Sequence, residues 1–177
     1  KIRSKPLIPV IRSEIDVHGE DFAKNREAML NAVTSFREIE QNCLNKATAA
    51  KEKFDKRGQL LPRERLNMLL DPGAPFLELS SLAGYKLHDD KDGTQAGGGI
   101  ISGIGYIAGV RCLVTASNSA IKGGTISPTG LKKTLRLQQI AVENKLPVVT
   151  LAESGGAYLN YAADIFVEGA RGFANQA

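Results

Sequence analysis

The chain has 177 residues, 42% of them apolar and 24% charged, which is enough to bury a sizeable core in one domain. Its net charge of +4 resides in residues 1–65, with 14 Lys+Arg against 10 Asp+Glu, whereas residues 66–177 hold 9 of each. No block of like charges, no apolar stretch of membrane-spanning length and no signal-peptide core occurs, which argues against nucleic-acid binding and membrane insertion.

Residues 1–18, with Pro6 and Pro9, read as extended or irregular. From Glu20 to Lys56 apolar residues (Phe22, Met29, Val33, Phe36, Cys43, Ala47, Ala50, Phe54) recur at steps of three, four and seven. This predicts one continuous helix of roughly 55 Å, too long for the inside of a small core and suited to a surface or a neighbouring subunit. Arg57 and Gly58 end it with a cation and a glycine. Pro62 opens a short helix to Leu70, stopped by Asp71, Pro72 and Gly73, and Phe76–Leu79 reads as a short strand. Residues 83–98, rich in Gly, Asp and Lys, read as a mobile surface loop. The domain boundary is expected near residue 72: an N-terminal extended and helical region, 1–72, then a compact domain, 73–177.

Beyond Gly99 the pattern changes. Ile100 to Ile107, a turn at Ala108 and Gly109, and Arg111 to Ala116 predict a β-hairpin. Ser127 and Pro128 form a cap-then-proline helix start, and the helix runs to about Asn144. Pro147 precedes a buried strand, Val148 to Ala152, and a further helix starts near Ala162. The order is α/β, with strand–strand–helix units that wind into a spiral of small sheets. The start on Lys1 and an end inside a helical pattern lead to the expectation of a fragment of a longer polypeptide.

Cys43 and Cys112 read as small buried apolar residues in a reducing compartment, and His18 and His88 lack partners at ligand spacing, so no metal site is expected. Two glycine doublets carry the chemical interest. Glu153, Ser154, Gly155, Gly156 and Ala157 follow a strand directly, and two amides without Cβ atoms let a carbonyl oxygen approach as in a backbone oxyanion hole. A tight strand-to-helix turn needing glycine twice is the structural alternative. Lys122, Gly123, Gly124 and Thr125 precede a helix start and suit an anion or a narrow passage, or a plain turn. Both doublets follow strands, which favours a shared cleft.

Other patterns fail. Gly103, Gly105 and Gly109 mimic a dinucleotide fingerprint, but a strand follows where a helix is required. Ser154 is outside any G-x-S-x-G, with no histidine beyond it. Glu153 and Asp164 form a conceivable acid/base pair, though a glutamate closing a strand more often bonds neighbouring amides. The absence of a side-chain base beside amide-rich turns suits enolate stabilisation with the proton removed by another molecule.

The ordered segments Arg57, Gly58, Gln59, Leu60, Leu61, Pro62, Arg63, Glu64, Arg65, Leu66; Leu69, Leu70, Asp71, Pro72, Gly73; Phe76, Leu77, Glu78; Gly98, Gly99 to Gly105; Lys122 to Thr125; and Glu153 to Ala157 resemble the carboxyltransferase β-subunit of biotin-dependent acyl-CoA carboxylases. The resemblance implies a crotonase-like fold and most of the first of two such halves, the one that binds acyl-CoA. It implies that carboxybiotin, on a carrier belonging to a separate α subunit, releases CO2 in the site; ATP is used only at that partner's biotin carboxylase. The freed biotin nitrogen deprotonates the acyl-CoA, and main-chain amides at Gly155 and Gly156 hold the enolate oxygen. Gly123, Gly124 and Ala157 would border the thioester, and Arg63 or Arg65 would meet CoA phosphates. The biotin-facing half is expected outside this sequence. A homo-oligomer of β subunits is implied, in the bacterial cytoplasm or alternatively the mitochondrial matrix.

Lys122, Leu159 and Asn160 lean toward the methylcrotonyl/geranyl branch, since the acetyl/propionyl branch usually carries an arginine where Tyr158 stands. Methylcrotonyl enzymes carry a phenylalanine that shortens the acyl pocket; the matching residue here is Gly169, as in the geranyl type. Gly169 easing helix packing is the alternative, and Tyr158 itself departs from the branch pattern. The favoured substrate is geranyl-CoA, with methylcrotonyl-CoA or propionyl/acetyl-CoA behind it. Readings of another kind are a crotonase-type hydratase or isomerase, and a non-catalytic assembly fragment docking through its long helix.

Overall fold

The computed structural model describes residues 12–88, 90–153 and 155–176. The expected extended segment around Pro6 and Pro9, and Ser154, lie outside the described residues. The chain divides into two compact units, Lys1–Arg37 and Glu38–Ala177. The expected boundary at residue 72 thus falls inside the second unit. In the first unit the Asp16 carboxylate accepts from the His18 amide at 3.0 Å, just ahead of helix α1 (Glu20–Thr48). No residue of α1 is fully buried, and Met29 remains 64% exposed.

The single helix expected over Glu20–Lys56 breaks at Ala49 and Ala50, and α2 (Lys51–Asp55) restarts it. The break turns Phe54 inward to 5% exposure. Burial of that ring stabilises by about 2 kcal/mol, well above the cost of an interrupted helix turn. Helix α3 (Pro62–Leu69) begins as the sequence predicts, with Pro62 in its first turn and the Glu64 carboxylate accepting from the Leu61 amide at 2.8 Å.

Four strands form one sheet in the order β1 (Leu77–Glu78), β2 (Ile100–Ile107), β3 (Val110–Ser117), β4 (Val148–Leu151). The first two pairings are antiparallel and β3–β4 is parallel, bridged by α4 (Pro128–Glu143). The hairpin turn at Ala108–Gly109 has positive φ at both residues, and the Asp71 carboxylate accepts from both amides at 2.7 Å. Leu66 of α3 packs with Ile101, Cys112 and Val114 on one side of the sheet. Leu113 packs with Leu137, Ala141 and Leu146 on the other. Gly103 and Gly105 are where Phe76 and Leu70 lie against β2: a Cβ would come within 2.5 Å and 2.7 Å of them. Packing accounts for Gly103 and Gly105, and the positive φ of the hairpin turn for Gly109, the three glycines that imitate a dinucleotide fingerprint.

Two expectations need correction. Strand β4 is not fully buried within residues 1–177: Val148 is 51% exposed, burial alternates along the strand, and β3 is its partner among the described residues. The 83–98 segment is tied down, with Asp90 and Ala96 buried. The Asp90 carboxylate accepts from the Lys86 and Gln95 amides, and the Gly97 amide donates to the Ala83 carbonyl at 2.8 Å. Glycines here permit close approach instead of motion: a Cβ on Gly130 of α4 would sit 2.1 Å from the Gly98 carbonyl oxygen. Cys112 is buried as expected, while Cys43 is half-buried with its thiol donating toward the Gly93 carbonyl at 3.5 Å, and burial pushes that thiol up.

Lys133 fastens this loop to α4. It is 5% exposed, and its ammonium donates to the Gly97 and Ile100 carbonyls at 3.1 and 2.9 Å. Burial lowers its pKa to about 8 from an ordinary 10.5, against the opposing pull of Glu78. The folded state therefore binds the proton less tightly than the unfolded state, and stability rises as pH climbs from 8 towards 10.5. In urea denaturation, wild type should gain on Lys133→Met across that window, by at most about 3 kcal/mol. A difference independent of pH would show that folding does not lower the Lys133 pKa.

Candidate functional site

The two glycine turns follow the C-terminal ends of the parallel strands β3 and β4, on the same end of the β3–α4–β4 unit. After β3 the chain makes a short 3-10 turn, Lys122–Gly124, with φ of 47° at Lys122, 64° at Gly123 and 72° at Gly124. After β4 the second turn passes Gly155 and Gly156, the latter at φ 87°. A parallel bridge between Ile126 and Ala157 zips the turns together. The Ile126 amide donates to the Gly156 carbonyl at 2.9 Å, and the Tyr158 amide donates to the Ile126 carbonyl at 3.0 Å.

Contact between the turns is backbone on backbone. A Cβ on Gly124 would lie 2.8 Å from the Glu153 carbonyl oxygen, and one on Gly155 would lie 2.9 Å from the Gly123 carbonyl oxygen. Real Cβ atoms do not approach so closely, so both positions require glycine for space. At Gly156 a Cβ would meet nothing within 4 Å, and its glycine is required by the positive φ instead.

Glu153 anchors the second turn twice. Its amide donates to the Ser117 hydroxyl at 3.1 Å, and its carboxylate pairs with Arg65 at 2.6 Å. Both side chains of the pair are about 30% exposed (29% and 30%), so water screens it less than a surface pair. Arg65 thus reaches from α3 to the residue that leads into the glycine turn. Arg63 forms a two-pronged pair with Glu78, at 2.9 and 2.8 Å. Both guanidinium groups are engaged by carboxylates, and both side chains stay partly exposed, 38% for Arg63 and 29% for Arg65. Asp164 lies exposed in the first turn of α5 (Ala162–Ala174), while the Glu153 carboxylate is engaged by Arg65.

A cleft of about 480 Å³ opens beside the turns, lined by Gly123, Gly155, Ser119 and Glu153 on one side and by Lys53 and Arg57 on the other. Lys122 also lines it, its ammonium 5.7 Å from the Tyr158 ring centroid. Tyr158 stacks obliquely on Tyr161, which meets the His88 ring edge-on at 4.9 Å, and His88 Nε2 is 3.0 Å from the Thr129 hydroxyl. Gly169 sits half-buried on α5 with open space where a side chain would begin. Sequence reasoning missed Lys53 and Arg57. Their available signal was a pair of cations at i,i+4 spacing just before the Gly58 turn.

The arrangement offers close main-chain approach, small residues and surrounding cations. Among the described residues no group of three or more His, Cys, Asp and Glu is placed to hold a metal ion, and no helix is long and apolar enough to cross a membrane.

The family model described as "Carboxyl transferase domain" matches residues 53–177. The chain is 42% identical over 158 residues to a probable mitochondrial methylcrotonoyl-CoA carboxylase beta chain of Drosophila melanogaster, covering 89% of this chain and 27% of that protein. It superposes on the crystal structure of the P. aeruginosa geranyl-CoA carboxylase beta subunit with TM-score 0.86 and 81% identity, covering 96% of this chain and 32% of that one. The transcarboxylase 12S crystal structure shares the fold at 23% identity and TM-score 0.66, over 83% of this chain and 28% of that one. The chain thus spans between a quarter and a third of the relatives' length. With its α/β, crotonase-like fold, partial relative to a full subunit, the chain belongs to the carboxyl transferase domain family, as a homologue of methylcrotonoyl- and geranyl-CoA carboxylase beta chains.

Proposed function

We propose that this chain forms the acyl-CoA half of the carboxyltransferase site of a biotin-dependent acyl-CoA carboxylase, with geranyl-CoA the favoured substrate. The observation that carries this reading is the pair of glycine turns locked edge to edge across the Ile126–Ala157 bridge, within a chain 81% identical to a geranyl-CoA carboxylase beta subunit. Main-chain amides at Gly155 and Gly156 hold the oxygen of the thioester as negative charge moves onto it. Fixed amides of this kind do not have to reorganise as charge develops, which is why they favour the enolate over the ground state. Gly123, Gly124 and Ala157 border the thioester. When bound, carboxybiotin from a separate α-subunit carrier supplies the CO2 and the base. ATP is used only at that partner. Arg63 and Arg65 fix Glu78 and Glu153 and keep part of each side chain exposed for CoA phosphates.

Gly169 sets pocket depth, its missing side chain leaving room for the longer branched chain. The biotin-facing residues belong to another part of the subunit, so the 177-residue chain alone is inactive. The exposed Met29, Leu30 and Phe36 of α1 favour contact with other subunits, in a homo-oligomer of β chains or with the α subunit. The likeness to the P. aeruginosa protein favours a bacterial cytoplasmic setting over a mitochondrial one. A hydratase or isomerase needs its own free carboxylate, and the pairing of Glu153 with Arg65 weighs against it.

The full-length subunit assembled with its biotin-carrying partner should carboxylate geranyl-CoA faster than methylcrotonyl-CoA, and propionyl-CoA least. Gly169→Phe should lower geranyl-CoA turnover at least about tenfold while sparing methylcrotonyl-CoA, since a blocked pocket penalises only the longer chain. Preference for propionyl-CoA, or turnover without biotin, would overturn the assignment. Gly155→Ala should lower kcat by about 100-fold with a smaller change in KM, because the added Cβ forces the Gly123 turn away and displaces the amides. Wild-type kcat in that variant would remove Gly155 from the oxyanion site.

A further inference from the structure

Helix α5 is held at two points among the described residues. Near its start Ile165 is buried, at 7% exposure, while Phe166, Val167 and Phe173 stay exposed. Near its other end the hold is polar and comes from α4. Gln138 Nε2 donates to the Gly172 carbonyl at 3.0 Å, and Gln138 Oε1 accepts from Asn175 Nδ2 at 2.9 Å. That carbonyl lies in the last helical turn, where the Asn175 and Gln176 amides donate to Arg171 and Phe173. Gln138 thus supplies a donor that the helix end does not provide for itself. Both polar ends of one side-chain amide are engaged, which fixes its orientation. Its base is fixed as well, since the adjacent Leu137 packs in the core with Leu113, Ala141 and Leu146.

Gly169 lies between the two attachments. At 1.5 Å of rise per residue it is about 6 Å along the axis from Ile165 and about 4.5 Å from Gly172. Steps of four and three put Ile165, Gly169 and Gly172 on one face of the helix, and both glycines are half-buried. A Cβ at either glycine would meet nothing within 4 Å. No side chain at those two positions keeps α5 at its distance from its neighbours, whereas the Gln138 amide does.

We infer that Gln138 is a positioning residue for acyl-chain specificity: by spacing the C-terminal half of α5 from α4 it keeps open the room beside Gly169 that a long branched chain requires. This rests on the reading of Gly169 as the residue that sets pocket depth, and it adds a residue from a different helix. Without the Gln138 amide, close packing favours settlement of α5 into the open space, which shortens the pocket. The glycine turns follow β3 and β4 and are not carried by α5, so the chemical step is left alone.

The test uses the full-length subunit assembled with its biotin-carrying partner. Gln138→Ala should raise KM for geranyl-CoA about fivefold or more, while KM and kcat for methylcrotonyl-CoA stay within about twofold. Gln138→Met, similar in length but without either hydrogen bond, should shift selectivity the same way. Asn175→Ala keeps the bond to the Gly172 carbonyl and should give a smaller shift, and it serves as the measurement if the Gln138 variants do not assemble. Equal losses on both thioesters would show a general structural role and overturn the inference, as would an unchanged KM for geranyl-CoA. Gly169→Phe in the same assay tests the parent reading. If it shifts selectivity and the Gln138 and Asn175 variants do not, only the role of Gln138 falls; if it leaves selectivity unchanged, the pocket-depth reading falls first.

Discussion

Two pieces of backbone that touch without side chains between them organise this site. Gly124 lies against the Glu153 carbonyl and Gly155 against the Gly123 carbonyl, at separations that exclude a methyl group. Close packing transmits displacement, so each turn's position determines the other's. Strand β3 delivers the first turn and β4 the second, and their parallel pairing sets the register from Leu113–Val148 to Ala116–Leu151. The Ile126–Ala157 bridge continues that alignment past the sheet. An oxyanion site made of main-chain amides needs this rigidity, because its donors cannot be adjusted by rotating side chains.

Ion pairs and buried polar groups carry the arrangement outward. Arg65 ties α3 to Glu153, and Arg63 ties the same helix to Glu78 on the first strand. Lys133 holds the Gly97–Ile100 backbone from α4, although burial opposes its charge. Each of these cations spans distant parts of the chain, and each is at least half-buried by its neighbours. Lys53 of α2 and Arg57 just beyond it line the cleft and are of a different kind, exposed and without ion pairs among the described residues. That contrast separates charges that hold the domain together from charges suited to a ligand.

Much of the fold was legible because local chemistry dictates it. The Ser127–Pro128 helix start, the Ala108–Gly109 turn and the hairpin each depend on residues adjacent in sequence, and each stands where the pattern places it. The break at Ala49–Ala50 was not legible, since two alanines favour a continuous helix; Phe54 is buried just beyond it. The loop before β2 has a mobile composition, yet Asp90, Gly98 and Lys133 fasten it through contacts with α4 and with its own backbone.

By itself the sequence determined the element order, the glycine doublets behind two strands, and ordered motifs specific enough to name a family. Those are properties of local backbone preference and of residue spacing. Only the tertiary structure decided that the doublets touch, that Arg65 belongs to Glu153, and that Lys53 and Arg57 face the same cleft as Gly155. Arg65 and Glu153 are 88 residues apart. Nothing in the local chemistry of either residue specifies its partner; packing α3 against the sheet brings them within 2.6 Å.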